Sequence, residues 1–162
     1  MFEKNTIAAH TMIGGINEIK NKLVEAIQYY QRALRVNTLE HYPKSYALIQ
    51  NNLGLAYVKL AAFTDGKENL MRAIEAYQEA LKIRTPEKYP TKYFLIQKVI
   101  GDTYYKLSLE EDEDVNLSKA LDAYQEFLKI EPEISSYIYL QTLCQEVKNK
   151  IEVAKAKKRK DK

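Results

Sequence analysis

The chain has 162 residues, of which 46 % are hydrophobic and 29 % charged, and its net charge is +3 at pH 7. This composition is typical of one soluble globular domain with its own core. Only five Gly and four Pro are present, which disfavours a turn-rich β-sandwich or barrel, and no apolar run approaches the roughly 20 residues that span a bilayer.

The N-terminal residues 1–19 leave two alternatives open. Gly14 lies 12 residues before Ala26, so Thr6–Ile13 could form a degenerate first helix, or the segment could be a partly disordered leader. The segment lacks a basic region followed by an apolar stretch, so no secretory signal is expected. The single cysteine, Cys144, fits a reducing compartment, and we predict a cytoplasmic protein.

An internal repeat organises the rest of the chain. Three segments align without gaps, namely Ala26–Pro43, Ala73–Pro90 and Ala120–Tyr137, and their starts are each 47 residues apart. A second pair, Tyr46–Leu60 and Tyr93–Leu107, has the same offset. Because two independent registers share one period, the chain is a repeat protein with a unit of two elements.

Both elements are helical by pattern. Apolar residues recur at the i, i+3, i+4, i+7 spacing of an amphipathic helix, as in Leu70, Ala73, Ile74 and Tyr77, and prolines stand at the turns. The pattern predicts a single domain over about residues 20–158. Its helices are predicted at about residues 20–36, 44–61, 68–84, 91–108, 115–130 and 134–157, with a seventh if the leader is helical.

The third copy departs from the other two. Phe127 replaces a small alanine, and Lys148 stands where Gly54 and Gly101 predict a glycine. The apolar stripe nevertheless continues through Val147 and Ile151. We therefore predict a C-terminal capping helix that packs on one side only, as a solenoid end requires.

The unit resembles a tetratricopeptide repeat over roughly residues 20–150. The residues that carry this resemblance are Leu53, Gly54, Tyr57, Ala73, Tyr77, Ala80 and Pro86, then Ile100, Gly101, Tyr104, Ala120, Tyr124 and Pro132. The family's usual unit has about 34 residues, so this chain is similar to a long-unit, prokaryotic-type variant. The resemblance implies an all-α, right-handed solenoid of antiparallel helix hairpins that serves as a non-catalytic protein-binding scaffold.

Two mid-helix glycines recur at the repeat offset. A glycine inside a helix costs about 1 kcal/mol relative to alanine, so an offsetting contact is expected at Gly54 and Gly101. We expect the partner helix to approach closely through the small residues Ala73 and Ala120.

One helix face changes character between copies, whereas the packing face stays apolar. The resemblance places the changing face in a concave groove that binds peptides or partner helices; a solvated face without a partner is the alternative. The predicted groove residues are Asn51, Leu55, Val58, Lys98, Asp102, Tyr105, Gln145 and Asn149.

Some tetratricopeptide domains hold a C-terminal carboxylate with Lys, Asn and Arg side chains. Lys98 and Asn51 or Asn52 suit such a clamp, but Asp102 would repel a carboxylate and no suitable Arg follows. The mixed polar and aromatic groove therefore favours an extended peptide or an amphipathic helix.

Catalytic and metal-binding patterns are missing from the sequence. His10 and His41 have no spaced Asp, Cys or second His, and the acidic run Glu110–Asp114 lacks the spacing of a calcium loop. We predict no enzyme activity, no metal site and no cofactor.

The strongest rival feature is the basic tail, residues 155–162. From residue 148 to the end there are eight Lys or Arg and two acids, whereas the rest of the chain is net acidic. The alternative function is therefore binding of nucleic acid or an anionic surface through this tail. Because aromatic residues are not interleaved with the lysines, nucleic acid is the less favoured partner. Self-association through the repeat ends is a further alternative.

Overall fold

A computed structural model describes the backbone of residues 2–129 and 136–160 and the side chains of residues 14–129, 138–157 and 159. Within these ranges the chain forms six α-helices and no strand. They are α1 (Phe2–Leu34), α2 (Pro43–Leu60), α3 (Gly66–Leu81), α4 (Pro90–Leu107), α5 (Glu113–Phe127) and α6 (Ser136–Lys160). The all-α prediction is confirmed.

Prolines set the starts of α2 and α4. Pro43 and Pro90 occupy the first position of their helices, where the missing N–H has no helical partner to lose and the fixed φ angle suits the helix. The residues before them, Tyr42 and Tyr89, adopt the same non-helical conformation, with ψ angles of 59° in both cases. The 47-residue period in the sequence is therefore also a period in the backbone.

Helices α2 and α3 form an antiparallel hairpin. Tyr46, near the start of α2, donates a hydrogen bond of 2.6 Å to Glu79, near the end of α3. Further along α2, the Tyr57 ring centre lies 5.9 Å from the guanidinium carbon of Arg72, which is early in α3. Residues later in α2 therefore contact residues earlier in α3, which is the pairing of antiparallel helices.

Helices α4 and α5 repeat these contacts at the same offset. Tyr93 donates to Glu126 at 3.4 Å, and the Lys119 ammonium lies 5.3 Å from the Tyr104 ring centre. The strong helix–helix contacts of the described chain all join helices that are adjacent in sequence. This arrangement is that of a helical repeat.

The two mid-helix glycines do make close contacts, but the partner differs from the one expected. A Cβ atom on Gly54 would lie 2.7 Å from the Tyr77 ring, and one on Gly101 would lie 2.5 Å from the Tyr124 ring. The nearest atoms belong to Tyr77 and Tyr124, one turn after the Ala73 and Ala120 that were expected to make the closest approach. The tyrosine rings of the partner helix occupy the space that a side chain would need.

The N-terminal helix is longer than expected. Helix α1 extends from Phe2 to Leu34 without a break at Gly14 and Gly15, so the predictions of a separate helix over Thr6–Ile13 and of a start near residue 20 are wrong. No atom beyond the helix's own backbone and chain neighbours lies within 4 Å of a Cβ placed on either glycine. These glycines lower the stability of α1 without ending it.

Helix α6 packs against α5. Its buried residues recur at helical spacing and are Leu140, Cys144, Val147, Ile151 and Ala154. Lys148 is exposed at the register of Gly54 and Gly101. The predicted boundaries at residues 130 and 134 lie outside the described residues.

None of the helices in the described chain combines the length and apolar character needed to cross a membrane.

Candidate functional site

A groove runs between α2 and α4 and has a volume of about 310 Å³. We call it the α2–α4 groove. It is lined by Ala47, Leu48 and Asn51 of α2, Arg84 of the turn after α3, and Lys92, Leu95, Ile96 and Val99 of α4.

Two leucines in this groove are exposed. Leu48 on α2 is 54 % exposed and Leu95 on α4 is 51 % exposed, and they occupy the same position in successive repeats. Ala47 and Ile96 beside them are buried and belong to the core. The groove therefore presents accessible apolar side chains on a base that is fixed by core packing.

Both charged residues that line the groove are cationic. Arg84 is only 8 % exposed, and its guanidinium carbon lies 4.6 Å from the ring centre of Tyr89. Lys92 is exposed at the first turn of α4. Within residues 14–129 and the described side chains of α6, no carboxylate forms an ion pair with either cation.

The structure places the three predicted residues of α2 differently. Asn51 lines the α2–α4 groove, and Leu55 is exposed one turn further along the helix. Val58 instead packs against the buried cluster that contains Leu70 and Leu107. Val58 therefore contributes to packing, because the last turn of α2 lies over α3 and the end of α4.

The two predicted residues of α4 that carry charge bind each other. The Lys98 ammonium lies 2.7 Å from the Asp102 carboxylate, and the other Asp102 oxygen accepts a 2.9 Å hydrogen bond from the Tyr124 hydroxyl. Asp102 thus links α4 to α5, and neither charge is free for a ligand.

The remaining predicted residues are also paired within the chain. Lys150 of α6 donates to the Tyr105 hydroxyl and lies 4.7 Å from its ring centre. The Gln145 side chain donates to Asn149 at 3.1 Å. The structure therefore does not bring the eight predicted residues together in one site.

Four residues of the α2–α4 groove were missed by the sequence analysis: Leu48, Leu95, Arg84 and Lys92. A signal existed for the leucines. They are 47 residues apart, and each precedes a predicted groove position, Asn51 or Lys98, by three residues, which places them on the same helix face. The two cations carry no repeat signal, because the equivalent positions in the first copy are neutral.

Buried groups have shifted protonation equilibria. Burial raises the pKa of Tyr77 to about 12, with the Asp102 charge adding to the effect, and the same two causes raise the pKa of Tyr124. Burial also raises the pKa of the Cys144 thiol, which keeps it protonated and unsuited to nucleophilic attack. No group of three or more His, Cys, Asp and Glu side chains in the described part of the chain is arranged to hold a metal ion.

The other polar motifs lie in surface turns. Glu111, within the acidic run, forms an ion pair with Lys67 in the first turn of α3. His41 is exposed and contacts the Thr38 hydroxyl at 2.9 Å, while the side chain of His10 lies outside the described residues. These contacts are those of turn residues.

Comparison with known proteins gives no assignment: no protein-family model and no curated protein matches the chain.

Proposed function

We propose that this chain is a non-catalytic scaffold that binds a peptide or helix of a partner protein in the α2–α4 groove. The observation that carries the proposal is the pair of exposed leucines, Leu48 and Leu95, in a groove with a buried base. The resemblance to tetratricopeptide repeats supports it, because that family binds partners on the concave side of a right-handed solenoid.

The energetics of the groove support binding of an apolar segment. Full burial of a leucine side chain contributes about 1.5–3 kcal/mol, so covering two half-exposed leucines would contribute a similar amount in total. An amphipathic helix presents apolar side chains at i, i+3 and i+4, and an extended peptide presents them on alternate positions. Either form could place side chains against Leu48 and Leu95.

Selection from a displayed library of random peptides would test the proposal. The immobilised wild-type chain is compared with the double variant Leu48→Ser/Leu95→Ser. The matched control is Met71→Ser/Val115→Ser, which replaces residues that are 44 % and 48 % exposed but line a different surface. Circular dichroism establishes that all three chains are folded.

We expect the wild type and the control to enrich the same peptides, and the groove variant to lose them. Equal enrichment by all three chains would show that the α2–α4 groove is not the binding site. If the folded wild type enriches no peptide family at all, the scaffold proposal itself is wrong.

The second candidate function is binding of nucleic acid or an anionic surface by the C-terminal end of α6. Helix α6 continues to Lys160, and Lys155, Lys157 and Arg159 are exposed along it. Deletion of residues 155–162 should abolish such binding and leave peptide binding unchanged.

Light scattering tests self-association, since a monomer across micromolar concentrations would contradict stacking through the repeat ends.

A further inference from the structure

We infer that one face of α1 is a second binding surface, which takes an amphipathic helix of a partner protein. This helix has a glycine opposite Tyr30 and an acidic residue eight positions before that glycine. The surface, which we call the α1 docking face, consists of Ala26, Tyr29, Tyr30, Arg32 and Ala33. It shares no residue with the α2–α4 groove and does not depend on the function proposed for that groove.

The first argument is that the equivalent face is covered in the next copy of the repeat. Ala26, Tyr30 and Ala33 are partly exposed, and Tyr29 beside them is 66 % exposed. Their counterparts on α3, which α2 covers, are all buried: Ala73, Ala76, Tyr77 and Ala80. The same positions on α5, which α4 covers, are buried too. Within the described chain, α1 has strong contacts only with α2, so its docking face lacks the helix that covers the other two.

The second argument is that the two covered faces show which helix fits. A Cβ atom on Gly54 would lie 2.7 Å from the Tyr77 ring, and one on Gly101 would lie 2.5 Å from the Tyr124 ring. In both hairpins the tyrosine therefore lies directly against the backbone of the covering helix. Tyr30 occupies the same repeat position as these two tyrosines. A helix that packs on α1 in the same way needs a glycine opposite Tyr30.

The third argument is a reversal of charge at one end of the docking face. Eight residues before the two glycines, Tyr46 and Tyr93 donate hydrogen bonds to Glu79 and Glu126 of the covered helices. The equivalent position on α1 is Arg32, which is exposed. A tyrosine hydroxyl suits a carboxylate acceptor, whereas a guanidinium has only donors and favours an anion.

A second arginine strengthens this reversal. Glu79 forms an ion pair with Lys82, three residues later, whereas the residue three positions after Arg32 is Arg35. Neither arginine forms an ion pair with a carboxylate among the described side chains. An acidic residue at the position of Tyr46 would therefore meet two unpaired cations. The docking helix should resemble α2 in its glycine and differ from it in this acid.

The occupant is a partner protein, because the described helices of this chain do not fit the face. The first half of α1 does not turn back over it, since α1 is one continuous helix through residues 14–18, where the equivalent residues 61–65 connect α2 to α3. In a second copy, α2 and α4 are already packed on α3 and α5. Helix α6 has Lys148 at the glycine position and Leu140 at the position of the acid.

Peptides based on α2 test the inference, because α2 already carries the glycine. Fluorescein-labelled peptides of Pro43–Leu60 are made with the native Tyr46, with Tyr46→Glu and with Tyr46→Lys. The Tyr46→Glu peptide is also made with Gly54→Leu. Binding to the full chain is measured by fluorescence anisotropy at about 0.05 M and about 0.5 M salt, since screening weakens exposed ion pairs.

We expect the Tyr46→Glu peptide to bind most tightly. At low salt its affinity should exceed that of the Tyr46→Lys peptide about tenfold, because the acid attracts Arg32 and Arg35 and the lysine is repelled. High salt should narrow this difference. Adding Gly54→Leu should weaken binding about tenfold or more. Because leucine is a better helix former than glycine, this loss would report the contact with Tyr30 and not a loss of helicity.

Variants of the chain assign the binding to α1. Arg32→Glu changes an exposed residue and should reverse the preference, so that the Tyr46→Lys peptide binds more tightly than the Tyr46→Glu peptide. Lys106→Glu is the matched control, because Lys106 is exposed at the end of α4 and does not belong to the docking face. It should keep the wild-type order of affinities. The groove variant Leu48→Ser/Leu95→Ser should also keep that order.

The outcomes distinguish the docking face from other sites. Tighter binding of the native peptide than of the Tyr46→Glu peptide would mean that the peptides replace α2 on α3, where Glu79 repels an acid, and would overturn the inference. It would also be overturned if the folded chain bound no peptide, or if Arg32→Glu left the order unchanged. Loss of binding in the groove variant would place the peptides in the α2–α4 groove. Self-association of the chain that Arg32→Glu abolishes would assign the face to a second copy and contradict a partner helix.

Discussion

Helix α4 shares one surface with α2 and an equivalent surface with α6, and the two differ in chemistry. Toward α2, Leu48 and Leu95 are exposed and two cations have no carboxylate partner among the described residues. Toward α6, Lys150 donates a hydrogen bond to the Tyr105 hydroxyl and lies over its ring, and the nearby Gln145 donates a hydrogen bond to Asn149. Similar backbone geometry thus produces one surface with exposed leucines and cations that have no carboxylate partner among the described residues, and one whose polar groups bind each other.

The two surfaces also differ in which of their contacts recur between the copies of the repeat. The contacts that hold the hairpins together recur in both copies, as in the packing of Tyr77 on Gly54 and of Tyr124 on Gly101. The groove chemistry does not recur. Equivalent substitutions at recurring contacts should therefore change the stability of the two copies by similar amounts. Equivalent substitutions at the variable positions should have different effects in the two copies.

The largest expected effect is a loss of folding stability at high pH, and the tyrosines Tyr77 and Tyr124 at equivalent positions of the two copies should both contribute to it. The pKa of Tyr77 is raised from 10.0 to about 12, so its contribution to folding is present in full below pH 10 and is lost as the pH rises toward 12. The loss is roughly 2–3 kcal/mol. Urea unfolding at pH 9 and pH 12 should show a smaller loss for Tyr77→Phe than for the wild type. An identical loss in both would contradict a buried, protonated Tyr77.

Substitution of the recurring glycines should come next. Gly54→Ala and Gly101→Ala would each force a Cβ against a buried tyrosine ring, and overpacking of this kind costs roughly 1–3 kcal/mol. Gly14→Ala is the control, because it has open space and should stabilise α1 by up to about 1 kcal/mol. Thermal unfolding measures all three. Stabilisation at Gly101 would argue against the close packing of α4 on α5.

A smaller effect should distinguish the two copies at one equivalent position. Asp102→Asn removes the ion pair with Lys98 and weakens the acceptor of the Tyr124 hydroxyl, so we expect a loss of about 1–2 kcal/mol. Leu55→Asn, at the same position of the preceding copy, should change stability by no more than about 0.5 kcal/mol, because Leu55 is exposed. Chemical denaturation of both variants measures this contrast. Equal losses would mean that the position has one role in both copies.

The smallest expected effect concerns the surface between α4 and α6. Lys150→Gln removes the cation from the Tyr105 ring, which should cost about 0.5–1 kcal/mol at this exposed site. Thermal unfolding of the variant and the wild type measures this loss. Equal stability of the two chains would mean that the contact does not hold α6 against α4.

Much of the fold was predictable from sequence because the period appears in both elements of the repeat. Prolines and apolar spacing located the helices, and the energetic cost of Gly54 and Gly101 indicated close packing. The packing partner was not predictable, because the reach of a tyrosine ring across the hairpin depends on how the helices are rotated. The length of α1 was not predicted from the sequence. Gly14 and Gly15 lower the stability of a helix, but they do not end it unless another feature does so.

The candidate site was predicted only in part. Asn51 was found because it lies on the variable face, whereas Leu48 and Leu95 were overlooked because recurring apolar residues were assigned to packing. Lys98 and Asp102 were predicted to bind a ligand, but they carry opposite charges four residues apart, a spacing that favours mutual pairing. Arg84 could not be placed, since its position depends on the path of a turn.

The restriction of strong contacts to neighbouring helices also bears on how the protein unfolds. Within the described chain, α1 has strong contacts only with α2 and α6 only with α5, so either helix can detach without breaking the contacts of the other. Opening then proceeds inward as a sequence of partial melting steps, and its free energy rises toward the middle of the chain. Because the α2–α4 groove is built on interior helices, transient fraying at either terminus would leave it folded.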